Sequence, residues 1–432
     1  MNQNVESLYL DRLIDPAIET ALSTAGCVVI EGPKWCGKST TAKRFAKTVV
    51  ELAKPSTYRQ YKLYADFGDD ELLRGEKPLL FDEWQKIPDL WDYIRAEIDS
   101  KSGQRGQYIL TGSARPVENG GKDNKRHSGT GRILKVVMRP MSLWESKDST
   151  GEVSLSDLFD GATRAGGRQK QTIRETAYLL CRGGWPETVI ERDKDKALLL
   201  SAKYVSSLIE TDIVELDDIK RNPTRARAIL RSYARNISAP AKLTTLQQDL
   251  EVNDSALDTR TLDSYINAFK KLFVIEDIEA WSPKLRSSTA LRTADTRQFV
   301  DPAIAAAVLG AKPDDLISDL NTFGLLFESM CIRDLRVYAE RLNGNVFNYR
   351  DKTGLEADAI IHLDNGKWAA IEVKLGSDDA IEQGAKHLLE LKGRVDTEKM
   401  KQPSFLMVMT ASPYAYRRPD GVYVVPIGCL KD

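Results

Sequence analysis

Residues 27–49, CVVIEGPKWCGKSTTAKRFAKTV, decide how this chain is to be read. Cys27 to Glu31 form a β-type apolar run, Gly32 to Ser39 spell a glycine loop, and a helical pattern follows from Thr40. In that order the three pieces make a phosphate cradle. Glycines let backbone N–H groups turn toward one point, and the start of a helix adds positive potential there. Lys38 is placed to reach β- and γ-phosphate oxygens, and Ser39 offers a hydroxyl to Mg²⁺. Gly32, Gly37 and Thr40 complete the expected binding set, so the stretch predicts a site for ATP with Mg²⁺.

The next motif is LLFDEWQKIPDLWDYIRAEID, residues 79–99. Its apolar run delivers Asp82 and Glu83 to a strand end, where Asp82 would enter the Mg²⁺ shell and Glu83 would orient or deprotonate the attacking water. In QYILTGSARP, residues 107–116, a buried-looking strand ends at Thr111, Gly112 and Ser113. VENGGKDNKRHSGTGR, rich in Gly, Asn, Lys and Ser, reads as a mobile loop and ends on Arg132. An arginine there is either a plain surface residue or a charge offered to a neighbouring subunit's nucleotide.

Composition sets outer limits. A chain of 432 residues exceeds what one core usually supports, so two or three domains are expected. The charge balance, 62 basic against 63 acidic residues, announces no global affinity for nucleic acid or anionic membranes; a binding surface of that kind would have to be local. The five cysteines lie apart with no CxxC spacing, which argues against a disulfide framework or a zinc site and fits a reducing cytoplasm. No run has the length of a membrane span, and the first fifteen residues do not read as a signal peptide. With histidine only at His127, His362 and His387, histidine-based nucleophilic catalysis has almost no material.

Beyond the turn GGWPETV at residues 183–189, DKALLLSAKYVSSLIETDIVEL gives one amphipathic helix, and in residues 223–281 helical stretches alternate before an extended FVIEDIEAW. The succession PTRARAILRSYARNI, AKLTTLQQDL, DTRTLDSYINAFKKL and that extended piece resembles a winged helix, with Arg260, Lys270 and Lys271 near its candidate recognition helix. From Phe323 the order is one helix, three strands, a helix and a strand, the αβββαβ core of the PD-(D/E)xK nuclease fold. That chemistry needs carboxylates on adjacent strands for Mg²⁺ and a lysine beside them. Asp358 opens one strand, and Glu372 and Lys374 share a face of the next because side chains alternate with period two. Glu328 on the preceding helix would complete the metal shell, and Gln383 on the following helix would orient the lysine or the water. The proline that opens the nuclease motif is absent, and Glu356-Ala357-Asp358 stands in its place.

Taken together, GPKWCGKST, LLFDEWQKIPDLW, YILTGSA, GTGR and MRPMSLWES resemble the bacterial predicted AAA-type ATPases that carry a C-terminal domain of unknown function 4143, over about residues 8 to 410. The resemblance implies an α/β fold class: a P-loop NTPase (AAA+-like) domain, a winged-helix middle region and a PD-(D/E)xK nuclease-like αβββαβ domain. The corresponding spans are residues 1–190, 191–310 and 311–432. It also implies a polar sensor at Thr111 and Ser113, and a homo-oligomer, a hexameric ring being one form, in which Arg132 serves the neighbouring protomer.

Three functions follow as expectations. The first is an ATP-hydrolysing cytoplasmic protein acting on nucleic acid, DNA in branched or processed forms, the substrate coming by analogy alone. The second is a nucleotide-dependent switch whose nuclease-like domain only docks partners. The third is an ATP-regulated metal-dependent endonuclease for defence or repair.

Overall fold

The structure, a computed structural model, describes residues 9–101, 103–112, 129–217, 219–251, 258–281, 295–395 and 401–432. Ser113 and His127 lie outside the described residues. The chain divides into two compact units, one running to Arg139 with short returns at 216–218 and 271–273, the other holding the rest from Pro140. Residues 140–190, assigned above to the ATPase region, belong to the second unit.

In the first unit the strands are β1 (Cys27–Glu31), β2 (Thr48–Glu51), β3 (Leu79–Asp82), β4 (Tyr108–Gly112) and β5 (Ile133–Val137). Over the described residues they form one parallel sheet in the order β2-β3-β4-β1-β5. Strands β1, β3 and β4 are buried at every position, as an unbroken apolar run in the middle of a parallel sheet must be. Helices α1 (Asp15–Thr24), α2 (Lys38–Phe45), α3 (Pro55–Phe67) and α4 (Leu90–Ser100) make the connections. Phe81, Trp84, Leu90, Ile94 and Tyr108 anchor the core on one side of the sheet. Because all strands run one way, the ends of β1, β3 and β4 open onto a common edge, where parallel α/β sheets place their ligands.

The second unit begins with β6 (Val153–Ser154), α5 (Leu155–Phe159) and β7 (Gly167–Arg168). Helices α6 (Ile173–Arg182), α7 (Pro186–Ile190), α8 (Lys194–Ser207), α9 (Ile213–Glu215), α10 (Pro223–Arg235), α11 (Leu243–Glu251) and α12 (Thr259–Lys271) follow. After α12, antiparallel bridges pair Ile275 with Phe299 and Ile278 with Thr296. Next come α13 (Pro302–Leu309), α14 (Pro313–Ser318) and α15 (Leu320–Arg341), then β8 (Gly344–Arg350), β9 (Glu356–Leu363), β10 (Trp368–Lys374) and α16 (Asp378–Gly393). The chain closes with β11 (Phe405–Thr410), β12 (Tyr414–Arg417), β13 (Tyr423–Pro426) and β14 (Leu430–Lys431).

The described strands of this unit make a mixed sheet in the order β7-β12-β13-β11-β10-β9-β8, and β14 pairs with β6. Strands β8, β9 and β10 form an antiparallel meander; β11 returns parallel to β10 across α16, so the helix, three strands, helix and strand read from sequence are all present.

Why residues 140–190 join this unit is visible in one buried charge network. Arg333 of α15, fully buried, pairs with Asp301 at 3.0 Å and Asp334 at 2.7 Å. Those carboxylates also accept the backbone N–H of Gly184 at 2.9 Å and of Leu143 at 3.0 Å. Removing one member would leave an uncompensated buried charge, at a cost of about 3–5 kcal/mol. Two loops of the segment are thus tied to groups far away in sequence.

No helix among the described residues is long and apolar enough to cross a membrane.

Candidate functional site

The phosphate loop leaves the end of β1. Gly37 at φ 101° takes the left-handed conformation that frees the start of α2, and Lys38, Thr41 and Ala42 bury the inner face of that helix. No acidic residue belongs to the helix's own first turn, which leaves its positive end to an anion and to groups brought from other strands. Gly32 is required by contact, since a Cβ there would lie 2.1 Å from the Met138 carbonyl oxygen. The Lys38 ammonium, 5 % exposed, donates to the carbonyls of Gly32 at 2.9 Å and Pro33 at 2.6 Å. Thr40 lies in the first turn of α2 and is exposed.

Strand order brings the other groups to this loop. β4 lies between β3 and β1, and Thr111 stands in register with both Asp82 and Ile30. Asp82 Oδ1 accepts the hydroxyl of Ser39 at 2.6 Å and that of Thr111 at 2.6 Å. One carboxylate oxygen therefore joins the loop, the end of β3 and the end of β4. A hydroxyl beside a carboxylate is the hard-oxygen donor set that Mg²⁺ takes.

Glu83 follows at φ 60°, a left-handed conformation that a non-glycine residue adopts at a cost of about 1–2 kcal/mol. Its carboxylate accepts from the Gln85 amide. Gln85 packs close to Gly112, where an added Cβ would meet its Oε1 at 2.8 Å. The strained residue that follows Asp82 is thus held by its own turn, the kind of local strain that functional positions retain.

Arg132 stands elsewhere. It precedes β5, whose first residue, Ile133, pairs with Cys27, whereas the loop leaves the other end, where Glu31 pairs with Val137. Five residues of strand, about 13 Å, separate the two ends. The guanidinium pairs with Asp99 and donates to the Thr130 carbonyl at 3.3 Å.

A second cluster lies in the other unit. Continuing the β9–β10 register from the pair Ala359 and Ile371 sets Asp358 opposite Glu372. Glu372, its side chain 1 % exposed, pairs with Lys374 at 2.8 Å. Its other oxygen has no hydrogen-bond partner, and His387 Nδ1 approaches it at 3.9 Å. Asp358 accepts the backbone N–H of Val373 at 2.7 Å.

Burial, with Asp358's charge next, pushes Glu372 up to about 8. The same two causes raise Glu328 well above the carboxylate range. Burial raises Asp358 as well, though Lys374 opposes it. Burial pulls Lys374 down, but Asp358 and Glu372 outweigh it and hold its ammonium above the ordinary value. Several carboxyls that share too little water and one lysine compete for protons here.

Among the described residues no three His, Cys, Asp or Glu side chains gather as a group that could hold a metal ion. One oxygen of Asp358 takes the Val373 N–H and one of Glu372 takes Lys374, while the other Glu372 oxygen stays buried without a hydrogen-bond partner. Gln383 is exposed on α16; Gly384 and His387 are the residues of that helix that face Glu372. Sequence reading missed His387, although Gly384 in mid-helix marks a close approach and His387 lies one turn further on.

In the middle region Lys270 pairs with Asp277 at 3.0 Å, and Asp277 also holds Arg297 at 2.9 Å. Arg260 is exposed.

Comparison with known proteins adds the following. Residues 24–147 match the AAA domain family, residues 173–315 a domain of unknown function (DUF8612), and residues 323–430 a domain of unknown function (DUF4143). No curated protein matches the chain. Among solved structures, the Walker-type ATPase Paby2304 of Pyrococcus abyssi is 16% identical with a TM-score of 0.43, over 69% of this chain and 96% of that one. The Aeropyrum pernix ORC1 protein, solved in complex with DNA, is 14% identical at 0.26, over 74% and 97%. A signal transduction ATPase with numerous domains from Pyrococcus horikoshii, PH0952, is 12% identical at 0.22, over 77% and 48%. At these scores nothing is inferred from the three likenesses. The glycine loop with its Asp82 partners and the two matched end domains carry the assignment: the chain is a P-loop ATPase of the AAA type with a C-terminal domain of unknown function 4143.

Proposed function

We propose that this ATPase hydrolyses ATP with Mg²⁺ in the first unit and uses the cycle to act on nucleic acid, DNA in branched or processed forms, as a cytoplasmic homo-oligomer. The observation that supports the chemistry best is the shared Asp82 oxygen, 2.6 Å from both Ser39 and Thr111. Ser39 and Asp82 would hold Mg²⁺, which supplies charge neutralisation on the phosphate oxygens. Lys38 exchanges the Gly32 and Pro33 carbonyls for β/γ oxygens, and Gly32, Gly37 and Thr40 line the phosphate path. Glu83 orients or deprotonates the water, and Thr111 reads whether Asp82 is engaged. Ser113 belongs to the same proposed sensor. Arg132, at the far end of β5 from its own loop and paired with Asp99, would leave that partner to serve a neighbouring protomer's nucleotide.

The nucleic-acid part rests on the second unit. Its αβββαβ order with Asp358, Glu372 and Lys374 on adjacent strands is that of a nuclease-like domain, and three helices followed by antiparallel bridges suit a winged helix. A specific observation favours binding over cutting: Asp358 accepts the Val373 N–H and Lys374 holds one Glu372 oxygen, so a metal at the unpartnered Glu372 oxygen would have to share that carboxylate with the ammonium. Lys270 is likewise engaged by Asp277, which favours as second reading a nucleotide switch whose C-terminal domain docks a protein.

ATP turnover with Mg²⁺, measured with and without linear, single-stranded and four-way-junction DNA while the strands are followed on a gel, separates these. Turnover stimulated by junctions with intact strands is expected. Turnover indifferent to all of them would replace the proposal by the switch, and scission lost in Glu372→Gln would replace it by an ATP-regulated nuclease.

A further inference from the structure

The segment before β1 is fastened to the phosphate loop in a way the motif does not foretell. The Tyr9 hydroxyl donates to Asp15 at 3.0 Å and shares a hydrogen bond with Thr41 of α2 at 2.9 Å. Arg44 of α2 lies over the Tyr9 ring at 4.1 Å and pairs with Asp15 at 2.8 Å. Between these contacts Arg12, 6 % exposed, sends one guanidinium nitrogen to the carbonyl of Cys36 at 2.8 Å and another to the carbonyl of Arg139 at 2.7 Å.

The chain leaving β5 forms the other side of the same arrangement. Met138 donates its N–H to the Glu31 carbonyl at 2.8 Å and accepts the Cys36 thiol at 3.3 Å. Its carbonyl also occupies the space that a side chain on Gly32 would need. The loop is therefore gripped at Gly32 and at Cys36 by residues 138–139, and Arg12 bridges the second grip.

We infer that Arg12 is a positioning residue of the nucleotide site, setting the Cys36–Gly37 peptide plane so that the Gly37 N–H is presented to phosphate. The peptide is planar and trans, so its C=O and N–H point in opposite directions. Holding the Cys36 oxygen on Arg12 turns the Gly37 N–H away from Arg12. A glycine loop binds an anion only when successive N–H groups converge, and a flipped plane at Gly37 would present a carbonyl oxygen to the phosphate instead. A guanidinium suits this task because its planar fork reaches two carbonyls at once; a lysine ammonium has no such fixed spread.

The inference rests on the phosphate-loop reading, and the test separates the two. Binding of a fluorescent ATP analogue with Mg²⁺, turnover and thermal midpoint are measured for the full chain, Arg12→Ala, Arg12→Lys and Arg44→Ala. Loss of one charge-assisted hydrogen bond in the loop predicts affinity reduced about 10- to 100-fold in Arg12→Ala and by less in Arg12→Lys. Arg44→Ala, which loosens the same segment without touching the Cys36 carbonyl, keeps wild-type affinity.

Millimolar guanidinium, too dilute to denature, should restore affinity to Arg12→Ala, whereas a variant weakened only in folding would not respond to it. Unchanged affinity in Arg12→Ala overturns the inference, as does a loss that guanidinium leaves unrestored while Arg12→Lys behaves as wild type. If Arg12→Ala does not fold, Arg12→Lys decides: reduced affinity at an unshifted thermal midpoint supports the inference, and wild-type affinity overturns it. A wild-type chain that binds no nucleotide overturns the phosphate-loop reading itself.

Discussion

The two acidic clusters of this molecule are built from similar residues and arranged for different ends. At the edge of the first sheet Asp82 takes two hydroxyl donors on one oxygen and stands beside the start of a helix whose own first turn holds no acidic residue. In the second sheet Asp358 and Glu372 face each other with Glu328 near, and a single lysine answers them. A carboxylate served by neutral donors at a strand end is available to a cation and its phosphates. A carboxylate buried among its own kind holds a proton or a lysine. What decides the difference is where the strands end: β3 and β4 finish at an open edge, while Glu372 sits inside β10 under α16.

The comparison is tested most severely by Glu83→Gln. Loss of the group that handles the attacking water should lower turnover about 10²- to 10⁴-fold with nucleotide affinity retained. Glu372→Gln in the other unit should leave turnover at the wild-type rate, and a coupled-enzyme assay on both shows whether the clusters are separate in function.

Gly32→Ala comes next. A Cβ placed 2.1 Å from the Met138 oxygen, at φ 149°, should cost about 2–4 kcal/mol of stability and abolish nucleotide binding. Denaturation curves and nucleotide titration check it.

A smaller effect separates the clusters by pH. Glu372 rises from 4.5 to about 8 on folding, so the folded chain holds that proton where the unfolded chain has released it. Stability should therefore fall as pH rises from about 4.5 to about 8, and flatten above. Replacement by Gln removes this group's titration and with it its share of the fall. Urea midpoints at pH 5.5 and 8.5 that differ equally in wild type and Glu372→Gln would assign the slope to other groups.

The smallest effect belongs to Gly384→Ala. Its Cβ would meet Glu372 and Lys374 at 3.4 and 3.5 Å, ordinary contact, so helix propensity should prevail and stabilise α16 by about 0.5–1 kcal/mol. Thermal midpoints for this variant and Gly32→Ala set the two glycines side by side: one yields to a side chain and one does not.

Much of the first site was legible because its chemistry is local in sequence. Residues 27 to 40 carry strand, loop and helix start, and the strand runs at 79–82 and 108–112 place Asp82 and Thr111 at strand ends by length alone. The left-handed turn at Glu83 and the grip of Arg12 and Met138 on the loop were not legible. The first is a backbone choice that no residue type announces for glutamate, and the second joins groups 24 positions apart at Arg12 and Cys36 and 102 apart at Cys36 and Met138. In the second site the carboxylates and lysine were read from alternation in β10. Gln383 was chosen from helix position, whereas the packing of α16 turned His387 inward.

The sequence by itself determined the phosphate loop and the order of elements that ends in the second sheet, because each follows from residue type and spacing along the chain, whereas the meeting of Ser39 and Thr111 on Asp82 needed the strand order of the folded sheet. Tertiary structure alone decided which carboxylates stay free for a cation and which are answered by lysine. It also decided that residues 140–190 belong with α15, because Asp301 and Asp334, both held by Arg333, satisfy backbone groups of that segment from the far side of the chain. Burial, charge pairing and backbone direction are properties of neighbours in space, and a spacing along the chain does not contain them.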